Sequence, residues 1–194
     1  MGLWCEYRPP PADEQHKRLV ALRRRTSRGI PCILWDEDAL NYVHSVPTSL
    51  FDQKIIIEDE LLELASSVLQ EDGHRPVPFT CQYLDLFQPR WKMCFSSRRP
   101  PPDEEPHNIY PLPGYILLLP QSYFGLDVRS KERFWSMGPP LDASNAGILV
   151  PKFNTFLEGL IAVKYKDDGN TPPPKELLPE ERVILDDLQT EEAR

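Results

Sequence analysis

The chain has 194 residues, with 22 Lys and Arg against 30 Asp and Glu, so its formal net charge is −8 at neutral pH. This acidic balance argues against wholesale nucleic-acid binding, which needs a basic surface. Proline is unusually frequent, at 22 residues against 9 glycines. At that density it argues against a helical bundle, a coiled coil or a regular barrel of short hairpins. The composition suits one soluble domain of ordinary size.

Neither the apolar runs nor the cysteines point to a membrane or a secreted protein. No stretch approaches the roughly 18 apolar residues that cross a bilayer, and the N-terminus lacks the basic and apolar regions of a secretory signal. The cysteines Cys5, Cys32, Cys81 and Cys94 are widely spaced, which predicts reduced thiols in an intracellular protein. We expect a cytoplasmic protein.

The first 73 residues predict the element order α–β–α–β–α. The opening helix has an apolar stripe of Leu19, Val20 and Leu22 and ends at Gly29. An acidic triplet, 36–38, follows the first strand and suits the positive end of a helix dipole. The predicted elements are a helix over 12–27, a strand over 30–35, a helix over 39–44, a strand over 49–57 and a helix over 58–70.

The remainder of the chain predicts further strands and two more helical regions. We expect strands over 79–87, 91–95 and 114–119, an exposed Pro-rich loop over 96–107, a helical segment from Tyr123 to Trp135, and helices over 151–166 and 180–190. The prediction is an α/β domain over 1–170, with a mixed sheet of about five strands flanked by helices. A Pro-rich linker and a C-terminal helix, 171–194, are expected to pack on it.

One unit of the sequence follows a recognisable plan: the buried strand Ile33–Trp35, a tight acidic turn into a helix, and a strand with the isolated Asp52. This plan resembles the minimal nucleotidyltransferase fold, most of all small fungal proteins assigned to that superfamily, and more distantly the bacterial toxin–antitoxin transferases. The resemblance covers residues 18–73 and, more weakly, the helix at 151–167, where residues 163–167 look like the closing segment of the family. In the family a strand ends in a Gly-Gly or Gly-Ser turn, and about a dozen residues later an Asp-x-Asp pair holds two divalent metals.

The chain departs from that pattern where the metal and the phosphates would bind. The small-residue turn is replaced by Asp36 and Glu37, whose carboxylates would repel a triphosphate. Asp52 matches the first Asp of the pair, but Lys54 replaces the second and removes a metal ligand. The resemblance therefore implies a nucleotidyltransferase-like scaffold with a degenerate metal site, and we expect neither a metal nor a cofactor.

The residues in this cleft predict acid/base chemistry on a small molecule, such as a cyclisation or an isomerisation. A lysine among carboxylates is also explained by a compensating ion pair alone, and that interpretation stays open. The catalytic candidates are Asp36, Asp38, Asp52, Lys54 and His44. The substrate-binding candidates are Trp35, Glu37, Tyr83, Asp85 and Trp91, and Asp85 is also a substitute third carboxylate.

Three classes of function follow from the sequence. The first is a metal-independent small-molecule-binding or -converting protein; by resemblance to fungal families, a cyclase or isomerase of secondary metabolism. The second is an active nucleotidyltransferase with a non-standard acidic set. The third is a non-catalytic scaffold whose Pro-rich segments bind partners. The expected partner is a small-molecule ligand, without nucleic acid or membrane, and a homodimer stays open.

Overall fold

The computed structural model describes residues 11–77, 93–96, 112–138 and 142–167. Over these ranges the chain forms one mixed sheet with helices on both faces. The described helices are α1 (Ala12–Arg18), α2 (Val20–Thr26), α3 (Glu37–Tyr42), α4 (Leu62–Glu71) and α5 (Phe153–Asp167). The described strands are β1 (Cys32–Trp35), β2 (Gln53–Ile57), β3 (Arg75–Pro76), β4 (Met93–Ser96), β5 (Tyr115–Pro120), β6 (Phe134–Ser136) and β7 (Ile148–Pro151).

Strands β1 and β2 hold the centre of the sheet, whose order in the described part is β3-β4-β5-β2-β1-β7-β6. β1 pairs antiparallel with β2 and parallel with β7, and β2 pairs parallel with β5. Every residue of β1 and β2 is buried. Their position between other strands and under helices explains why both are so apolar.

Alternate residues of the central strands divide the core into two layers. Leu34 and Ile55 point to the face that α2 and α4 cover, whereas Ile33 and Ile56 point to the opposite face. That second face is covered by α5 and by the 3₁₀ helix Gln121–Phe124. The predicted α/β class, with a mixed sheet between helices, is confirmed.

The predicted helix over 12–27 is broken into two at Leu19, whose φ of −91° and ψ of 5° are not helical. Val20 was assigned to the apolar stripe but is 39% exposed, while Leu19 and Leu22 are fully buried. Gly29 follows the second helix with a φ of 75°, a conformation that glycine adopts without a steric cost. The predicted end of this helical region is therefore confirmed.

The predicted helix from Tyr123 to Trp135 is wrong. Two short 3₁₀ helices, Gln121–Phe124 and Lys131–Arg133, occupy this region and lead into β6. Gly125 ends the first of them in the left-handed region, with a φ of 62°, and a helix cannot continue through that conformation. The strands β3, β6 and β7 were not predicted, so the described sheet has seven strands rather than about five.

Several sequence predictions concern residues outside the described ranges. They are the strand over 79–87, the Pro-rich loop beyond Ser96, and the linker and helix over 171–194. Within the described ranges, none of the helices combines the length and the apolar character needed to cross a membrane. The side chains of Cys32 and Cys94 are buried.

Candidate functional site

The turn between β1 and α3 is built on Asp36, which has a φ of 60° and a ψ of −133°. This region is close to glycine-only, and a non-glycine residue there stores about 1–3 kcal/mol of strain. The hydroxyl of Thr48 donates a hydrogen bond of 3.1 Å to the carbonyl oxygen of Glu37 and braces the turn. The strained turn brings the side chains of Asp36 and Glu37 towards β2.

Lys54 of β2 lies opposite Trp35 in the antiparallel β1–β2 pair. Its Nζ donates to Oδ2 of Asp36 and, at 2.8 Å, to Oε2 of Glu37. We call Asp36, Glu37 and Lys54 the Lys54 cluster. The Lys54 side chain is 8% exposed, while those of Asp36 and Glu37 are 27% and 22% exposed. A small molecule from solvent can therefore reach the carboxylates more easily than the ammonium group.

Burial and the charges of the Lys54 cluster together set the protonation of Glu37. Burial, followed by the neighbouring charge of Asp36, raises the pKa of Glu37, and Lys54 offsets only part of that effect. Burial by itself would lower the pKa of Lys54, but Asp36 and Glu37 together outweigh it and raise that pKa. The cluster thus combines a stable cation with a carboxyl group that takes up a proton more readily than an ordinary Glu.

The structure places Asp38 with Arg18 rather than with Lys54. The carboxylate of Asp38 accepts hydrogen bonds from Nε and Nη2 of Arg18, at 2.6 Å and 3.0 Å. The side chains are 0% and 2% exposed, and Nη2 of Arg18 also donates to the carbonyl oxygen of Phe51 at 3.3 Å. This buried bidentate pair ties α1 to α3, so Asp38 has a structural partner outside the Lys54 cluster.

Asp52 links the start of β2 to the start of β5. Its Oδ1 accepts a hydrogen bond of 3.0 Å from the backbone N–H of Tyr115. Beside it, the N–H of Gly114 donates to the carbonyl oxygen of Phe51 at 3.4 Å. The side chain of Asp52 therefore holds the start of β2 against the start of β5.

Trp35 occupies the core beneath the Lys54 cluster and is 2% exposed. Its indole lies 5.0 Å from the ring of Phe124 and 4.7 Å from that of Phe156, measured between centroids. A Cβ placed on Gly159 of α5 would lie 2.6 Å from Cη2 of Trp35, so the indole packs directly against the helix backbone. Trp35, predicted to bind substrate, is enclosed by aromatic rings.

The described contacts of His44 are with β7, β6 and α5. Its Nε2 lies 2.9 Å from the carbonyl oxygen of Pro151. Its ring centroid lies 5.6 Å from that of Trp135 and 5.4 Å from that of Phe153. These contacts give His44 a packing role at the start of α5.

Three predicted site residues are not described, and two cavities lie away from the Lys54 cluster. Tyr83, Asp85 and Trp91 lie outside the described residues. One cavity of about 220 Å³ lies between the first two helices and the start of β5, and another of about 490 Å³ lies beside β6. Neither of these two cavities is lined by a residue of the cluster, which meets solvent through its two carboxylates.

Two buried arginines were missed by the sequence reasoning. Arg25 is fully buried; its Nη1 donates to the carbonyl oxygen of Ala21 at 2.7 Å, and its Nε and Nη2 have no partner among the described residues. Burial lowers the pKa of Arg25 to about 10 and raises that of the neighbouring Cys32 thiol to about 12. The available signal was spacing, because Arg18, Leu22 and Arg25 share one helical face.

The Lys54 cluster offers a ligand two carboxylates and one ammonium group. In the part of the chain that the structure describes, no group of three or more His, Cys, Asp or Glu side chains is placed to hold a metal ion. Comparisons with protein-family models, with curated proteins and with solved structures found no match.

Proposed function

We propose that the chain binds a small polar organic molecule at the Lys54 cluster and acts on it without a metal ion, on a nucleotidyltransferase-like scaffold. Two features support the scaffold. Asp36 and Glu37 follow β1 where the family has its small-residue turn, and Asp52 and Lys54 stand where it has the Asp-x-Asp pair. The antiparallel pairing of β1 with β2 brings the turn and Lys54 into contact, as one shared cleft requires.

The observation that carries the proposal is the combination of strain and charge at the β1–α3 turn. Asp36 is held in a backbone conformation that costs free energy, and the pKa of its neighbour Glu37 is raised by burial and by Asp36. Strained residues and shifted carboxyl groups concentrate at functional sites. A purely compensating ion pair for Lys54 would require neither the strained turn nor a second carboxylate.

The cluster supports proton transfer within one molecule. Asp36, held by Lys54, accepts a proton from one position of a bound ligand, and protonated Glu37 returns one to another position. Transfer of the proton from Asp36 to Glu37 through solvent then restores the starting state. Such an exchange consumes no co-reactant, because the proton count of ligand and protein is unchanged at the end. Cyclisation and isomerisation need such a proton exchange within one molecule and no co-reactant, so a cyclase or isomerase is the enzyme class that fits. The fungal resemblance suggests secondary metabolism.

A second candidate, a non-catalytic scaffold, is favoured by the position of Trp35. The indole fills the apolar space beneath the cluster and packs against Phe124, Phe156 and the backbone of Gly159. A ligand would then have contacts with the two exposed carboxylates but no deep apolar pocket between β1 and α5. Under this interpretation the Lys54 cluster stabilises the turn and has no ligand.

A thermal-shift search separates the two candidates. The full chain is screened in EDTA against small polar organic molecules, including hydroxy acids, ketones and amides. A ligand at about 100 times its Kd adds about 2.7 kcal/mol of stability, which raises the Tm of a chain of this size by about 5–10 °C. We expect such a shift in the wild-type protein and its loss in Glu37→Gln, which keeps the shape of the side chain.

The matched control is Arg28→Gln, which removes a charge from an exposed ion pair with Glu71 and should keep the full shift. Shifts that are equal in all three proteins would place the ligand elsewhere and refute the proposal. A screen without any hit would favour the scaffold. ATP, CTP and GTP are tested with Mg²⁺ and with Mn²⁺; a metal-dependent shift would instead support an active nucleotidyltransferase.

A further inference from the structure

Strand β6 forms one edge of the described sheet, and its backbone groups alternate between two directions. The N–H of Lys152 donates to the carbonyl oxygen of Arg133 at 3.0 Å, and the N–H of Met137 donates to that of Ile148 at 2.9 Å. Trp135 lies between these two bonds, opposite Val150. In an antiparallel pair the groups of alternate residues face the partner strand. Those of Phe134 and Ser136 therefore face away from β7.

The outward side of β6 offers a partner one donor and two acceptors. The N–H of Phe134 is used by the preceding 3₁₀ helix, where it donates to the carbonyl oxygen of Lys131. The carbonyl oxygens of Phe134 and Ser136 and the N–H of Ser136 have no hydrogen-bond partner among the described residues. Unpaired groups of this kind on an edge strand are a template for another extended chain.

The faces beside this edge provide two contact surfaces. On one face lies the cavity of about 490 Å³, whose apolar walls are Pro31, Val128, Phe134 and Leu149. On the other face Trp135 is 40% exposed and packs on His44. Side chains of an extended chain alternate between faces, so one would enter the cavity while the next contacts Trp135.

The charges beside the edge indicate what kind of chain fits. Arg129 and Lys131 line the cavity, and none of the described residues that line it is acidic. Arg129 is paired with Glu58, but Lys131 has no carboxylate within 4 Å among the described residues. A bound chain with an acidic side chain at this end of β6 would supply the carboxylate that Lys131 lacks among the described residues.

We propose that β6 is a docking edge for an extended segment of another protein, with an apolar side chain in the cavity and an acidic side chain beside Lys131. The partner pairs with Ser136 through its N–H and carbonyl groups and adds a strand to the sheet. This surface lies two strands away from β1 and does not depend on the function of the Lys54 cluster.

The test measures binding of synthetic heptapeptides to the full chain by fluorescence anisotropy. In the acidic set, valine or isoleucine alternates with aspartate or glutamate; in the basic set, lysine replaces the acidic residues. Ser136→Pro removes the outward N–H and is tolerated on an edge strand because it breaks no bond to β7. Ser136→Ala is the matched control, since both variants lose the hydroxyl bond to the carbonyl oxygen of Ala146.

We expect the acidic set to bind more tightly than the basic set, and Ser136→Pro to weaken that binding about tenfold. Ser136→Ala should stay within about twofold of wild type, and Lys131→Glu should reverse the charge preference. Circular dichroism checks that Ser136→Pro remains folded; if it does not, Lys131→Glu decides alone. Equal binding of both sets, no binding of the acidic set, or a wild-type dimer that Ser136→Pro dissolves would overturn the proposal.

Discussion

Lys54 is the cation that allows two carboxylates to stand side by side after β1. Its ammonium group is almost fully buried, and both of its ion pairs are made to one short turn. Without it, Asp36 and Glu37 would repel each other, and the pKa of Glu37, which burial and Asp36 already raise, would rise further. The effect of removing Lys54 therefore depends on pH.

We expect Lys54→Met to lower the free energy of unfolding by about 2–3 kcal/mol at neutral pH. Part of this loss should be recovered near pH 5, because Glu37, whose pKa is raised, takes up a proton more readily there. Urea unfolding at both pH values measures it. Arg28→Gln, which removes one partner of an exposed pair, should cost less than about 0.5 kcal/mol. If the two variants cost the same, the Lys54 cluster carries no buried charge.

Glu37 makes a second contribution that varies with pH. Because its pKa is raised in the folded state, the folded chain holds the Glu37 proton more tightly than the unfolded chain does. This stabilises the fold below the ordinary Glu pKa of about 4.3 and is lost as the pH rises through the raised pKa. Glu37→Gln removes this dependence.

The free energy of unfolding of Glu37→Gln minus that of wild type should therefore increase between about pH 4 and pH 7, which means that the variant becomes more stable relative to wild type as the pH rises. Denaturant titrations at intervals across that range measure the difference. A difference that stays constant would show that the pKa of Glu37 is the same in the folded and unfolded states.

The sequence allowed the contact between Lys54 and the acidic turn to be predicted, because alternation along β2 and the short link after β1 bring them to one place. It did not reveal which of the three acids would be its partners. Asp38 is the next residue along α3, so its side chain points in another direction and pairs with Arg18 of α1. The spacing of residues in the sequence does not show how α1 packs against α3.

Helix α5 packs closely on strand β1 at one glycine. Gly159 lies against the indole of Trp35, so the helix can approach the sheet closely at this point. In an unpacked helix Gly→Ala would add up to about 1 kcal/mol of stability. Here an added methyl group must displace the ring or the helix.

We expect Gly159→Ala to lower the free energy of unfolding by about 1–2 kcal/mol, since overpacking outweighs the gain in helix propensity. The double variant with Trp35→Phe should recover part of that loss, because the smaller ring leaves room. Thermal unfolding of both variants is the measurement. A more stable Gly159→Ala protein would mean that α5 does not pack closely on Trp35.

Helices α1 and α3 are linked by the buried pair of Arg18 and Asp38. Arg18→Met leaves a buried carboxylate without a cation and should cost about 3–5 kcal/mol. Arg18→Met combined with Asp38→Leu should regain more than half of that loss, because no buried charge remains. A double variant as unstable as the single one would show that the pair has a role beyond charge compensation.

At the level of elements, apolar runs predicted the central strands well. β1 and β5 lie within two residues of their predicted bounds, and β2 ends at the predicted Ile57 but begins at Gln53 rather than at Ser49. Continuous burial gives their apolar cores a strong signal. β6 and β7 were missed, since β7 is a run of four residues ending in a proline and β6 has one exposed tryptophan. A short strand at a sheet edge has little periodicity, and only its pairing partners define it.

Across the described part of the molecule, the centre of the sheet and its edge at β6 carry different sets of charged groups. The Lys54 cluster, with two carboxylates and one lysine, belongs to the central strands, and the edge at β6 has Arg129 and Lys131 beside it. The net charge of −8 did not reveal this division, because total charge says nothing about where opposite charges lie in the fold.

The central claim is that the Lys54 cluster binds a small organic molecule without a metal ion. The most direct measurement is the Tm shift caused by the strongest hit of the small-molecule search, recorded in EDTA for wild type, Glu37→Gln and Arg28→Gln. We predict a shift of about 5–10 °C in wild type and Arg28→Gln and its loss in Glu37→Gln. A shift that survives in Glu37→Gln would contradict the claim, and so would one that appears only when Mg²⁺ or Mn²⁺ replaces EDTA.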